Sequence, residues 1–218
     1  METLRTEICR VGRSLFERGY VHASAGNISA RLPGGRGFLI TPTDACLGDL
    51  EPDSLAQVDP AGQQVAGARA SKTLALHRAI YGADANAQCV IHTHSTHLVA
   101  LTLSGVWSVQ DVLPPITPYF VMKVGHVPLI AYRRPGDPDL ADDVVRAIAA
   151  AHARGQVLRA VLHERLGPNV WHDSPGAAMA TLEELEETAK LWLMTNPRPA
   201  ALDAAQLDQL RSAFGASW

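Results

Sequence analysis

"VIHTHSTHL", residues 90–98, sets three histidines directly behind an apolar run, and its reading decides both the fold around it and the chemistry it can support. If "CVIH" is a strand, successive side chains alternate between its faces, so His92 and His94, two residues apart, project from the same side. Two imidazoles on one face can share one ion. Zn²⁺ takes imidazole nitrogen at about 2.0–2.1 Å, and a catalytic site wants about three protein ligands with one position left open. The H-x-H spacing alone leaves two readings, a metal pair or two polar histidines at a strand end. His97 falls in what reads as a helix start, "STHLVAL", and suits a hydrogen-bonding surface residue.

Working outward, "AQCVIH" is preceded by "SKTLALHRAIYGA", where Ser71 serves as capping residue before apolar positions three and four apart, a helix. "NISARL", "GFLIT" and "LAQVD" are short apolar runs parted by Pro, Gly and Asp and are predicted as strands of an antiparallel or mixed sheet. Leu4, Ile8, Val11, Leu15 and Phe16 recur at helical spacing and predict a first helix ending near Gly19. Leu140, Val144, Val145 and Ile148 predict another over 140–153, "VLRAVLH" a strand, and "ATLEELEETAKLWLM" a long helix. The order is helix, strands, helix, strand, helix, strands, helix, strand, helix. Strict alternation is missing, so a three-layer α/β/α sandwich is favoured over a Rossmann fold.

A chain of 218 residues with 47% hydrophobic content can bury one substantial core, and a single domain over 1–218 is expected. The net charge of −3, without any Lys/Arg block, leaves no footprint for nucleic acid or an anionic membrane. An anionic substrate must then be gripped by local groups. Charged residues interrupt the first sixteen positions, so no signal-peptide core is read there, and no stretch reaches the roughly 20 apolar residues of a membrane span. Cys9, Cys46 and Cys89 lack metal-ribbon spacing and read as thiols of a cytoplasmic protein. No G-x-S-x-G elbow supports a serine hydrolase.

Seven segments occur together in a familiar order: "SAGNIS" (24–29), "TPTDACLG" (41–48), "ASKT" (70–73), "HTHST" (92–96), "TPYFVM" (117–122), "YRRPGD" (132–137) and "EELEETAKL" (183–191). In these the chain resembles the class II aldolase/adducin family, and more closely its 3-oxo-tetronate 4-phosphate decarboxylase branch. The resemblance implies an α/β/α sandwich with a mostly antiparallel sheet and a C4 homotetramer with sites between neighbouring subunits. It also implies a divalent metal, with Zn²⁺ the ion expected, bound at His92 and His94.

The activity so implied is loss of CO₂ from a phosphorylated 3-oxo sugar acid, leaving an enediolate that is protonated to dihydroxyacetone phosphate. A chelated metal would stabilise the oxyanion. The resemblance points to Asn27, Thr43 and Ser71 for the phosphate. Gly26 and Asn27 can form an anion-binding turn, Ser71 stands at a helix start, and Lys72 adds a full charge. Arg134 is a candidate for the anionic substrate of a neighbouring subunit. An aldolase on a phosphorylated sugar and a catalytically silent, assembly-forming homologue are the alternatives.

Three residues depart from the family pattern. Thr73 occupies the place of the acidic residue that handles protons beside the metal, and Tyr119 or a metal-bound water is the candidate substitute as proton donor. Leu166, in "ERLGP", stands where the family has its third metal-binding histidine; His163, three residues earlier, is the nearest replacement. Asp44 replaces a glycine of the phosphate loop, where a carboxylate repels phosphate unless it turns outward or pairs with a cation. Glu183, Glu184, Glu186 and Glu187 read as a solvated or intersubunit face, and His77 as a residue packed within its helix.

Overall fold

The structure is a computed structural model and describes residues 2–218. Eight strands form one sheet: β1 (Asn27–Arg31), β2 (Phe38–Ile40), β3 (Ala56–Val58), β4 (Gln64–Ala66), β5 (Cys89–His92), β6 (Leu129–Ile130), β7 (Ala160–His163) and β8 (Gly167–His172). Their spatial order is β4-β3-β2-β1-β5-β8-β7-β6. All neighbours are antiparallel except β6 and β7. The mostly antiparallel sheet that the family resemblance implies is what forms.

Alternation along each strand builds two cores. Ile28, Cys89, Ile91, Ala160, Leu162 and Val170 face one way. They meet α1 (Glu2–Glu17), α3 (Thr96–Ser104), α4 (Pro118–Lys123) and α6 (Pro175–Met194) through Ile8, Leu15, Leu98, Phe120, Leu182 and Leu185. Val90, Val161 and Trp171 face the other way, onto α2 (Leu74–Ala83) and α5 (Asp139–Ala153), whose Leu76, Ile80, Val144 and Ile148 cover them. Helices therefore lie on both faces, giving three layers. A final helix, α7 (Ala204–Phe214), starts at Asp203 in a capping box with Gln206. Among the described residues no helix is long and apolar enough to cross a membrane.

Several expectations are corrected in detail. The helix after "ASKT" starts at Leu74 with Thr73 in the capping position, so Ser71 lies two residues before the cap. The stretch between α3 and α5, read as strands, contains α4 and only the two-residue β6; Pro118 at the first helical turn and the Thr117 hydroxyl, which accepts from Phe120 N, start that helix. β4, β8 and α7 were not expected, and α6 begins five residues before Ala180, at Pro175, capped by Ser174. These elements are short, or lack the apolar period that marks the others.

Candidate functional site at the end of strand β5

β5 is the fourth strand from one sheet edge, flanked by β1 and β8. Register places Asn27 opposite His92 on one side and Asn169 opposite His92 on the other. Side chains in register across a sheet share a face, so Asn27, His92 and Asn169 form a row of three polar residues. They are exposed by 6%, 5% and 0%. A buried polar row at strand ends is costly unless its groups find partners. Some do and some do not, and the remainder is the informative part.

His92 Nδ1 donates to Pro168 O at 2.8 Å, which fixes the tautomer and leaves Nε2 as a bare acceptor. His94 lies two residues beyond the end of the strand, its ring centroid 5.1 Å from that of His92. His163, on β7, is 6.3 Å from His92 by ring centroid; its Nε2 donates to Asn169 Oδ1 at 2.8 Å. His163 Nδ1, Asn169 Nδ2 and Asn27 Oδ1 are buried without a partner. Burial holds His92 well below the ordinary imidazole range, with His94 and His163 pushing the same way. Burial also brings His163 to about 4, against the pull of the Asn169 hydrogen bond, and lowers His94, helped by His22. All three imidazoles are thus held neutral near pH 7, the form a metal requires.

Donor chemistry and spacing therefore suit a divalent ion at His92 and His94. Among the described residues no group of three or more His, Cys, Asp or Glu side chains converges tightly enough to enclose one. His163 stands beside the pair with Nε2 committed to Asn169 and only Nδ1 free. Leu166 sits in the tight β7–β8 turn, where its N–H donates to His163 O at 3.2 Å and Arg165 takes a left-handed φ of 63°. Gly167, at φ 120°, lies so close to Thr93 O that a Cβ would collide with it. That contact pins the turn against the backbone between the two histidines.

The other candidates gather along an adjoining strip. Thr41 N donates to Ile28 O, and its Oγ1 accepts from Ile28 N. Ser71 N donates to Thr41 O, Thr43 N to Arg69 O, and Pro42 bridges to Ala70. This stitches the loop bearing Thr43 and Asp44 to the segment bearing Ser71, Lys72 and Thr73, next to Asn27. Ser71 and Thr73 share a 3.0 Å hydrogen bond between hydroxyls. Asp44 has φ 57°, the conformation a glycine adopts without strain and aspartate tolerates better than most residues. Its carboxylate turns outward and meets Lys72 Nζ at 3.6 Å.

Tyr119 and Arg134 lie apart from this group. Tyr119 is 61% exposed on α4, and Arg134 reaches Asp137 at 3.8 Å. No hydrogen bond, ion pair or ring contact among the described residues joins either to the histidines. A cavity of about 630 Å³ opens at Arg133, Arg134, Asp137 and Asp143, and another of about 550 Å³ at Arg31, Phe38, Arg78 and Tyr81. Neither is lined by His92 or His94.

Sequence reasoning passed over Asn169, whose only signal was a polar residue at an inward position of "GPNVWH". It also passed over a network beneath the row, where Ser29 Oγ contacts both His77 Nδ1 and Tyr81 OH at 2.7 Å. His77 does pack within its helix layer, and it is fully buried. One of the four glutamates of α6, Glu186, requires correction. Glu186 is 6% exposed and accepts from His97 N, His97 Nδ1 and Leu98 N, so it is neither solvated nor an outer face, and His97 is its partner.

Comparison with known proteins agrees with this geometry. The chain is 58% identical over 220 residues to a 3-oxo-tetronate 4-phosphate decarboxylase of Cupriavidus necator, covering 99% of this chain and 97% of that protein. It is 41% identical over 213 residues to a protein of the same name from Escherichia coli K12, covering 97% and 96%. The solved structure of YgbL from Escherichia coli superposes with a TM-score of 0.88 at 39% identity, over 96% of this chain and 98% of that one. An L-fuculose 1-phosphate aldolase shares the fold, with a TM-score of 0.82 at 20% identity over 99% and 97%. Residues 6–193 match the family described as Class II Aldolase and Adducin N-terminal domain, and with the sheet order and the histidine pair already in place, the chain belongs to that family.

Proposed function

We propose that the protein is a metal-dependent lyase that decarboxylates a 3-oxo-tetronate 4-phosphate to dihydroxyacetone phosphate and CO₂. The observation that carries this reading is the 58% identity, across 99% of the chain, to a relative of that name, and the neutral pair His92 and His94 supplies the chemistry. A divalent ion held there, Zn²⁺ by the preference of imidazole ligands, would stabilise the oxyanion that develops as CO₂ leaves. His163 is the third ligand in this reading, because its Nδ1 is buried and without a partner.

Asn27, Thr43, Ser71 and Lys72 hold the phosphate, with Lys72 moving from Asp44 to the substrate. Thr73 hydrogen-bonds with Ser71 and orders that strip; it carries no ionisable group for proton transfer. Decarboxylation tolerates this, because departing CO₂ leaves the electron pair without a base abstracting a proton. The enediolate still needs a proton, and Tyr119 delivers it from a neighbouring subunit, where Arg134 also meets the substrate's charge. The exposure of both residues, 61% for the Tyr119 residue and 70% for the Arg134 side chain, suits a site completed in a homotetramer. A cytoplasmic location belongs to the same reading.

The test is direct. Purified protein should release CO₂ from a 3-oxo-tetronate 4-phosphate, lose that activity on chelation and regain it with Zn²⁺. Aldol cleavage of a phosphorylated sugar should be far slower, since it needs the base that Thr73 is not. Protein that carries no metal and turns over no phosphorylated 3-oxo acid would instead be a silent, assembly-forming member of the family.

A further inference from the structure

The acidic motif of α6 is the one conspicuous sequence feature that the proposed chemistry leaves unused. In the fold it reaches three other elements. Glu183 pairs with Arg18 beyond the end of α1, Glu184 accepts from the Thr117 hydroxyl at the start of α4, and Glu186 turns inward to the start of α3.

The Glu186 contact is specific in form. α3 has Ser95 in the capping position, yet the Ser95 side chain makes no cap hydrogen bond. It is occupied by Thr93 Oγ1 at 2.6 Å and donates to Tyr20 O. The first turn of a helix has N–H groups with no partner inside the helix, and a capping side chain normally serves the second and third. Here those are His97 N and Leu98 N, and Glu186 takes them with Oε1 and Oε2 at 2.9 and 3.0 Å. His97 Nδ1 adds a third donor at 2.8 Å. A carboxylate at that end also meets the positive pole of the helix dipole. The cap thus comes from a helix 89 residues away in sequence, and it grips the chain three residues after His94.

His94 lies in the short connection between β5 and α3. His92, within the strand, is held by the ladder and by Pro168 O. His94 has no such ladder. Its connection is fixed by Gly167 packing on Thr93 O, by the Thr93–Ser95 hydroxyl pair, and by Glu186 at its exit. We propose that Glu186 is a positioning residue, whose buried carboxylate caps α3 from α6 and so holds His94 where it can share an ion with His92. This rests on the metal reading above and extends it to a residue that touches neither ion nor substrate.

The experiment uses the full-length protein in three forms: wild type, Glu186→Gln and Ser174→Ala. The last removes a cap on α6 that accepts from Ala177 N, far in sequence from the histidines. Two readouts are taken: Zn²⁺ affinity by competition with a chromogenic chelator, and exchange of the His97 and Leu98 amides in metal-free protein. Glu186→Gln should bind Zn²⁺ about 10- to 100-fold more weakly, the range for groups that orient metal ligands, and both amides should exchange faster. Ser174→Ala should lose thermal stability with its Zn²⁺ affinity unchanged, which a purely structural role for Glu186 would predict for Glu186→Gln as well. Faster amide exchange with Zn²⁺ affinity within twofold of wild type overturns the proposal, and so do unchanged amides. If Glu186→Gln does not fold, Glu186→Asp keeps the charge but draws the carboxylate back from His97 N and Leu98 N by one methylene, and faster amide exchange with an affinity within twofold of wild type there overturns it equally. Wild-type protein that binds no Zn²⁺ fails the metal reading first, before any variant is compared, and the proposal falls with it.

Discussion

The candidate site has two parts built on opposite principles. The polar row of Asn27, His92 and Asn169 across β1, β5 and β8, with His163 beside it on β7, is buried and neutral, held by side-chain hydrogen bonds such as His92 to Pro168 O and His163 to Asn169. The strip at 41–44 and 69–73 is more open and charged, held by backbone links with a salt bridge between side chains 69% and 74% exposed. Two of the three departures from the family pattern, Asp44 and Thr73, fall in the open strip, where one residue can change without disturbing a core. The third, Leu166, sits in the turn on the rim of the buried row. The buried part should therefore respond to lost ligands and to pH, and the open part to charge.

The sharpest way to break this division is to remove a ligand. His92→Ala or His94→Ala should abolish stoichiometric metal and lower kcat by about a thousandfold or more, given the several kcal/mol a Lewis acid contributes to charge stabilisation. Elemental analysis of the purified variants checks it; metal retained at one per chain in both would move the site elsewhere.

The next effect concerns the turn. If His163 serves in place of the family's histidine, His163→Ala should weaken Zn²⁺ binding by about 100-fold or more, beyond the 10- to 100-fold of an outer-shell change, which is the range expected for Asn169→Ala. Leu166→His should then add less than about threefold, because a four-coordinate ion has no vacancy to offer beyond the substrate's position. A large gain from Leu166→His with no loss from His163→Ala would reverse the assignment.

Much of this was legible beforehand, for physical reasons. H-x-H after an apolar run fixes a shared face through strand periodicity, and the two-sided sandwich follows from amphipathic helices between strands. The row partners of His92 were not legible, because register between strands distant in sequence is set by the whole sheet: Asn169 is 77 positions from His92 and meets it only through β5–β8 pairing. Glu186 was misread for the same reason. On a helix wheel it is one acid among four, and only the approach of α3 decides which of them is buried. Asp44 was half legible: its charge was visible as a problem, while its left-handed backbone and its pairing with Lys72 needed the loop's geometry.

A smaller effect separates the two parts by pH. Burial lowers His77 to about 3 from the ordinary 6.5, so the folded protein binds fewer protons than the unfolded chain between those values. The sign follows: this contribution is fully present above pH 6.5 and is lost as pH falls toward 3. Between pH 7.5 and 4.5 the wild type should lose roughly 2–3 kcal/mol that His77→Gln does not, at 1.36 kcal/mol per pH unit. Urea unfolding of both proteins at the two pH values reads the difference, and parallel losses would show that His77 does not titrate with unfolding.

The smallest expected effect lies in the open strip, and it asks whether Asp44 restrains the site or merely decorates it. The pair with Lys72 is exposed on both sides, so freeing the lysine is worth only about 0.2–1 kcal/mol, and the KM for a phosphorylated substrate should fall about twofold to fivefold in Asp44→Gly. Glycine also removes the left-handed strain at φ 57°, which confounds charge with backbone. Asp44→Asn separates them, since asparagine tolerates the same conformation but carries no charge. If competition for Lys72 is the cause, both variants lower KM alike, kcat stays within about twofold, and the gain shrinks as salt screens the exposed charges. A gain confined to glycine would assign it to the backbone, and an unchanged or raised KM in both would place the phosphate away from Lys72 altogether.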